Sequence, residues 1–104
     1  MDKSLIEDFN YITSFISPRI QGYLRSLNEK NINEIQEIRL RTGRPVVIVT
    51  ASGSSFLTDK SRLSYIMSVN SIIPTQHEIF DTINKMCGFS MHSHYEDILN
   101  GYIT

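Results

Sequence analysis

The hydrophobic period of the chain changes near residue 37, and this change constrains the fold more than any other feature. Before it, apolar residues with helical spacing form two stripes: Leu5, Ile6, Phe9, Ile12, Phe15 and Ile16, then Ile20, Tyr23, Leu24 and Leu27. After it, Ile38 and Leu40 alternate with Arg39 and Arg41, which is the two-residue period of a half-buried strand. Helices followed by strands predict an α+β domain.

The first two helices have recognisable start signals. Ser4 followed by Glu7 is a capping-box pattern. Ser17 is a suitable cap for the second helix, and Pro18 fits the first helical position after it. A polar connection is predicted from Asn28 to Asn33. The two helices therefore form an N-terminal hairpin.

Three further strands are expected after the first. Pro45 starts a β-branched run that ends at Thr50, and residues 51–54 are typical of a hairpin connection into a strand around Ser55 to Thr58. Alternation from Leu63 to Val69 predicts another strand. The sheet is thus expected to be small, mainly antiparallel and of three to four strands.

Two later helices are expected on one face of that sheet. Thr75 and Glu78 form a capping box that opens the first. Ile79, Phe80, Ile83, Met86 and Cys87 form its apolar side, and Gly88 is its expected C-terminal residue. Ser93 and Glu96 head the second, and Tyr102 to Thr104 begins a last strand.

The length of 104 residues allows one small domain. We expect a helical part over 1–33 and an α/β part over 34–104. Because the last predicted strand starts only at Tyr102, we expect the chain to be a fragment of a longer protein.

Composition and motifs exclude several functional classes. Ten Lys plus Arg against eleven Asp plus Glu give a formal charge of −1, which disfavours binding to nucleic acid or membranes through bulk positive charge. The sequence contains no phosphate loop, dinucleotide-binding fingerprint, HExxH pair or GxSxG elbow. No catalytic residue is therefore assigned, and we expect no enzymatic activity in this segment.

Histidines and aromatics favour structural roles. His92 and His94 are two residues apart, and His77 lies a full helix earlier, so no metal site is predicted around them, Cys87 and Glu96. The aromatic residues are spaced as core residues, without the interleaved basic residues of a nucleic-acid stacking surface.

The strongest local signal for function is a group of three arginines. Arg39 and Arg41 are expected on one face of the first strand, and Arg44 in the turn that follows. Guanidinium groups in such a cluster suit phosphate or carboxylate, because each offers two parallel donors. The alternative is a solvated strand face whose charges meet Glu34 or Glu37.

Two motifs resemble the stage III sporulation protein AA family. The segment from Glu37 to Pro45, EIRLRTGRP, resembles its EIRLRxGRP signature. The segment from Ser90 to Thr104 is similar to its closing S-x-x-x-x-x-[ED]-[ED]-[IL]-x-x-G-[FY]-[IV]-T pattern. Together with the predicted helix between these motifs and the helix from Pro18 to Leu27 before them, the resemblance covers about residues 14–104.

The resemblance implies an N-terminal domain, with a PAS-like α/β fold, of an ATPase related to type II secretion and type IV pilus motors. Such ATPases are expected to energise the channel between mother cell and forespore. ATP and Mg are implied for the full-length protein only, because the phosphate loop follows this segment. The implied partners are the ATPase core, neighbouring subunits of a homo-hexamer and membrane proteins of the channel, reached from the mother-cell cytoplasm. No nucleic acid is expected.

The leading hypothesis is therefore a regulatory and assembly domain in which Arg39, Arg41 and Arg44 contact nucleotide or a partner. Two alternatives stay open at this point. One is a stand-alone protein-interaction module that uses the same arginines, and the other is a weak single-stranded nucleic-acid binder.

Overall fold

A computed structural model describes residues 3–87 and 103, with side chains described for 7–86 and 103. Four helices and four strands follow one another along the described chain: α1 (Lys3–Thr13), α2 (Pro18–Arg25), α3 (Glu29–Glu34), β1 (Ile35–Arg39), β2 (Val47–Thr50), β3 (Gly53–Leu57), β4 (Leu63–Ser64) and α4 (Gln76–Cys87). The predicted α+β class is confirmed.

The four strands form one antiparallel sheet in the order β1-β2-β3-β4. Ile38 lies opposite Ile48 on β2, and both side chains are fully buried. At the other edge of β1, Ile103 forms a parallel bridge with Ile38. The end of the described chain therefore returns to the strand that carries the arginine motif.

The N-terminal helices cover one face of the sheet. Their apolar stripe packs inward, because Phe9, Ile16, Ile20 and Leu24 join the core that contains Ile38. Burial of these side chains removes a large apolar area from water and is the main force that holds the two layers together. The predicted helical stripe is thus used inside the domain.

The helix ends differ from the predicted ones. Ser4 lies inside α1, which begins at Lys3. Ser17 precedes Pro18 as predicted, but its hydroxyl does not cap α2 and instead donates to Glu78 Oε2 at 3.4 Å. The predicted polar connection contains the short helix α3, because the Asn28 side chain accepts from the backbone N–H of Asn31 at 2.8 Å and caps it.

The predicted strand from Leu63 to Val69 is wrong beyond Ser64. Serine hydroxyls replace the strand ladder there: Ser64 Oγ accepts from the Ile66 N–H at 3.1 Å, and Ser68 Oγ accepts from the Asn70 N–H at 3.2 Å. Such local bonds compete with strand pairing. The alternating pattern therefore belongs to an exposed loop.

The capping box of α4 is confirmed, but its apolar side is only partly buried. Thr75 Oγ1 accepts from the Glu78 N–H at 3.1 Å, and Glu78 Oε1 accepts from the Thr75 N–H at 3.0 Å. Phe80 and Ile83 are more than half exposed, so the prediction that Phe80 is a core aromatic is wrong. The predicted helix headed by Ser93 lies outside the described residues.

Candidate functional site

The three predicted arginines lie where β1 ends and the chain turns toward β2. β1 stops at Arg39, so the prediction that Arg41 continues the strand is wrong. Arg41 opens a turn, in which the Arg44 N–H donates to the Arg41 carbonyl at 3.2 Å. Gly43 has φ +74°, a left-handed conformation that glycine adopts without a steric cost. The turn places Arg41 and Arg44 together at the end of the sheet.

Backbone hydrogen bonds fix this turn to the rest of the fold. Val46 donates to the Ile72 carbonyl at 2.8 Å, Ile72 donates to Leu57 at 2.8 Å, and Leu57 donates to Val46 at 3.1 Å. The Gly43 N–H adds a bond to the Pro74 carbonyl at 3.1 Å. These hydrogen bonds hold the arginine turn and the segment before α4 against the end of β3.

All three arginines line one cavity of about 440 Å³. Val47 lies opposite Arg39 and beside Phe56 in the sheet register, so these residues form a row across three strands. This row is on the sheet face opposite the buried Ile38–Ile48 pair. The cavity is lined by Arg39, Arg41, Gly43, Arg44, Pro45, Val47, Phe56 and Met67. Cationic groups therefore surround an apolar floor.

The cavity carries excess positive charge. Arg39 Nε donates to Glu37 Oε1 at 2.8 Å, so one arginine has the acidic neighbour expected of an ordinary strand face. Arg41 and Arg44 are exposed, and within the described part of the chain their side chains have no carboxylate partner. Their guanidinium groups are available to bind an anion, in the bidentate geometry that suits phosphate or carboxylate.

The sequence did not predict the apolar part of the cavity. Phe56 could have been placed beside Val47 from the register of the β2–β3 hairpin. Met67 could not, because it reaches the cavity only through the serine-bonded loop that replaces the predicted strand.

Comparison with protein families identifies the chain. The family model described as sporulation stage III, protein AA, matches residues 7–104. The chain belongs to this family. Membership implies a role in sporulation. The comparisons with curated proteins and with solved structures gave no match.

A second polar cluster in this sporulation protein joins α2 to α4. The Arg19 guanidinium donates to both Glu78 oxygens, at 3.0 and 2.8 Å, and to the Ile73 carbonyl at 2.9 Å. The Thr82 hydroxyl accepts from the Ser17 N–H at 3.2 Å. Arg19 and the Thr75 donors lower the pKa of the Glu78 carboxyl to about 2, against the opposing effect of burial. The cluster attaches α4 to the helical layer.

The described part of this family member offers no metal site. Across residues 3–87 and 103, no group of three His, Cys, Asp or Glu residues is placed to hold an ion. His77 is exposed on α4, while His92, His94 and the side chain of Cys87 lie outside the described residues. Within the same ranges, no helix is long and apolar enough to cross a membrane.

Proposed function

We propose that this chain is the regulatory and assembly domain of an ATPase that energises the channel between mother cell and forespore. The domain catalyses no reaction itself. It acts in the mother-cell cytoplasm, at the periphery of the membrane channel, and responds to the nucleotide state of an ATPase core that follows it. Family membership supports the sporulation context of this proposal.

The observation that carries the proposal is the convergence of Arg39, Arg41 and Arg44 on one cavity. Two of these arginines lack a carboxylate partner among the described residues. A phosphate of bound nucleotide, or a carboxylate of a neighbouring subunit, supplies the missing anion. If the anion is presented in only one nucleotide state, its binding shifts the position of this domain relative to the core.

The proposed partners follow from this mechanism. They are the ATPase core, adjacent subunits of a homo-hexamer and membrane proteins of the channel, with ATP and Mg bound by the core. The apolar stripe of the N-terminal helices is not available for a membrane partner, because Phe9 and Ile16 are buried in the domain. Contacts of these helices with a channel protein would therefore use their exposed polar residues.

The substitution Arg41→Ala in the full-length protein tests the proposal. We expect ATP turnover to fall by about tenfold, because one charged contact is worth about 1–2 kcal/mol. This isolated domain should keep its far-ultraviolet circular dichroism and its unfolding midpoint, since Arg41 is exposed. Lys30→Ala, which removes an exposed charge from α3, is the matched control. Unchanged turnover in the Arg41 variant would contradict the proposal.

A stand-alone interaction module is the second candidate. Val47, Phe56 and Met67 in the cavity favour it, because an apolar floor with a cationic rim suits an acidic side chain on an apolar partner. Nucleic-acid binding is less well supported, because Phe56 is the one aromatic residue among the lining residues that the structure describes. Oligonucleotide affinity that falls steeply with salt would support it.

A further inference from the structure

The loop of residues 65–69, hereafter the apolar loop, exposes four large hydrophobic side chains without a charge between them. The exposed fractions are 72 % for Tyr65, 75 % for Ile66, 62 % for Met67 and 100 % for Val69. Isolated exposed hydrophobic residues are common on proteins, but four within five residues form a patch that indicates an interaction surface.

Hydrogen bonds at the end of the apolar loop fix its conformation. The Ser68 N–H donates to the hydroxyl of buried Ser71 at 3.0 Å, and the Ser71 N–H returns a bond to the Ser68 carbonyl at 3.1 Å. The Asn70 carbonyl accepts from the Asp59 N–H at 2.9 Å. These bonds hold the loop outward, so its hydrophobic side chains stay in solvent in the isolated domain.

Basic residues flank the apolar loop. Met67 lines the same cavity as Arg41 and Arg44, so the loop and the cavity form one continuous surface. On the other side, the turn that contacts Asn70 carries Lys60 and Arg62. Among the described residues, the acidic residues near this surface are Glu34, which lines a cavity with Tyr65, Glu37, which is paired with Arg39, and Asp59. Positive charge therefore predominates around the hydrophobic side chains.

We propose that the apolar loop and the arginine cavity together bind an anionic lipid bilayer. The hydrophobic side chains enter the interface between headgroups and acyl chains, while Arg41 and Arg44 contact lipid phosphates. Peripheral membrane binding strengthens with both the buried apolar area and the electrostatic attraction to anionic lipids, and this surface offers both. The proposal goes beyond the proposed function but uses the same arginines.

The shape of the surface favours a bilayer over a folded protein partner. Fully exposed Val69 and its neighbours project from the domain, so a protein partner would need a matching pocket for them. A fluid lipid interface accepts projecting side chains without a preformed pocket. Tyr65 fits this position as well, since tyrosine is enriched where apolar and aqueous regions meet.

Sedimentation with lipid vesicles tests the proposal on the chain as it stands. The vesicles are phosphatidylcholine alone or an equal mixture of phosphatidylcholine and phosphatidylglycerol. We expect binding to the mixed vesicles that is several-fold stronger than to phosphatidylcholine and that weakens with added salt. Inorganic phosphate at the same ionic strength should displace little protein, because it offers no apolar phase to the loop.

Variants separate the two parts of the surface. The double substitution Ile66→Ser and Val69→Ser should lower the bound fraction several-fold, since both side chains are exposed. Phe80→Ser on α4, where the side chain is 62 % exposed, is the matched control and should bind as the unmodified chain does. Arg41→Ala should lower binding and flatten its salt dependence.

The outcomes that overturn the proposal are distinct. Absence of binding to the mixed vesicles contradicts lipid docking. An unaffected loop variant, an equal loss in the Phe80 variant, or full release by inorganic phosphate also contradicts lipid docking. ATP turnover measured without lipid tests the proposed function separately, so either proposal can fail while the other stands.

Discussion

At the scale of single residues, Glu78 connects several parts of the structure. It accepts from the Arg19 guanidinium, from the Thr75 backbone and from the Ser17 hydroxyl. Its side chain is 11 % exposed, whereas that of Arg19 is 45 % exposed. Glu78 thus caps α4 and attaches it to α2 through one buried charge, and removal of that charge weakens both connections.

The lowered pKa of Glu78 predicts loss of stability in acid. The folded-state pKa is about 2 against an ordinary value of 4.5, so the stabilisation is complete above pH 4.5 and disappears as the pH falls toward 2. Because solvent screens the half-exposed Arg19, we expect ionised Glu78 to contribute about 1–2 kcal/mol to the free energy of unfolding. Urea unfolding of Glu78→Gln should show this loss at neutral pH, and the difference from the unmodified chain should vanish near pH 2.

Asp81→Asn is the matched control for this measurement. Asp81 pairs with Lys85 at 3.3 Å on the surface of the same helix, and such exposed pairs contribute less than about 0.5 kcal/mol. Equal losses in the Asp81 and Glu78 variants would show that the buried position of Glu78 has no special effect.

At the scale of elements, the sequence predicted those features that depend on residues close together along the chain. Pro18 at the start of α2 and the capping box of α4 depend on neighbouring residues and were placed correctly. The hairpin between β2 and β3 was predicted too, but with a connection of residues 51–54, whereas β3 already begins at Gly53. The loop after Ser64 was wrongly predicted as a strand, because its serine hydroxyls compete with strand pairing. The sequence analysis named the three arginines that line the cavity. It did not name Met67, because only the fold of this loop brings Met67 to the cavity.

Replacement of two glycines by alanine should change the stability of the domain in opposite directions. Gly43 has φ +74°, so Gly43→Ala should destabilise the domain by about 1 kcal/mol through backbone strain alone, because a Cβ there meets nothing within 4 Å. Gly22 lies in α2 with equal free space, so Gly22→Ala should stabilise the domain by about 0.5–1 kcal/mol. Thermal unfolding of both variants measures the difference, and shifts of the same sign would contradict the assignment of the turn.

At the scale of the whole molecule, the helical layer and the sheet share one main core. Ile16, Ile20 and Leu24 from the helical layer pack in the same cluster as Ile38 and Ile48 from the sheet. Among the described residues neither layer has a separate core of this size, so each layer depends on the other for burial of its apolar residues. The domain is therefore expected to unfold in one transition.

Ile38→Ala tests this dependence, because Ile38 is fully buried at the centre of the shared core. We expect a loss of about 3 kcal/mol from the lost transfer free energy and the cavity left behind, which is a large part of the about 5–15 kcal/mol that stabilises a domain. Hydrogen exchange of amides in α1 and β2 should accelerate by the same factor, since both layers open together. Val69→Ala, at a fully exposed site, should change neither the free energy of unfolding nor the exchange rates. Faster exchange confined to β2 would show that the helical layer is stable without the sheet.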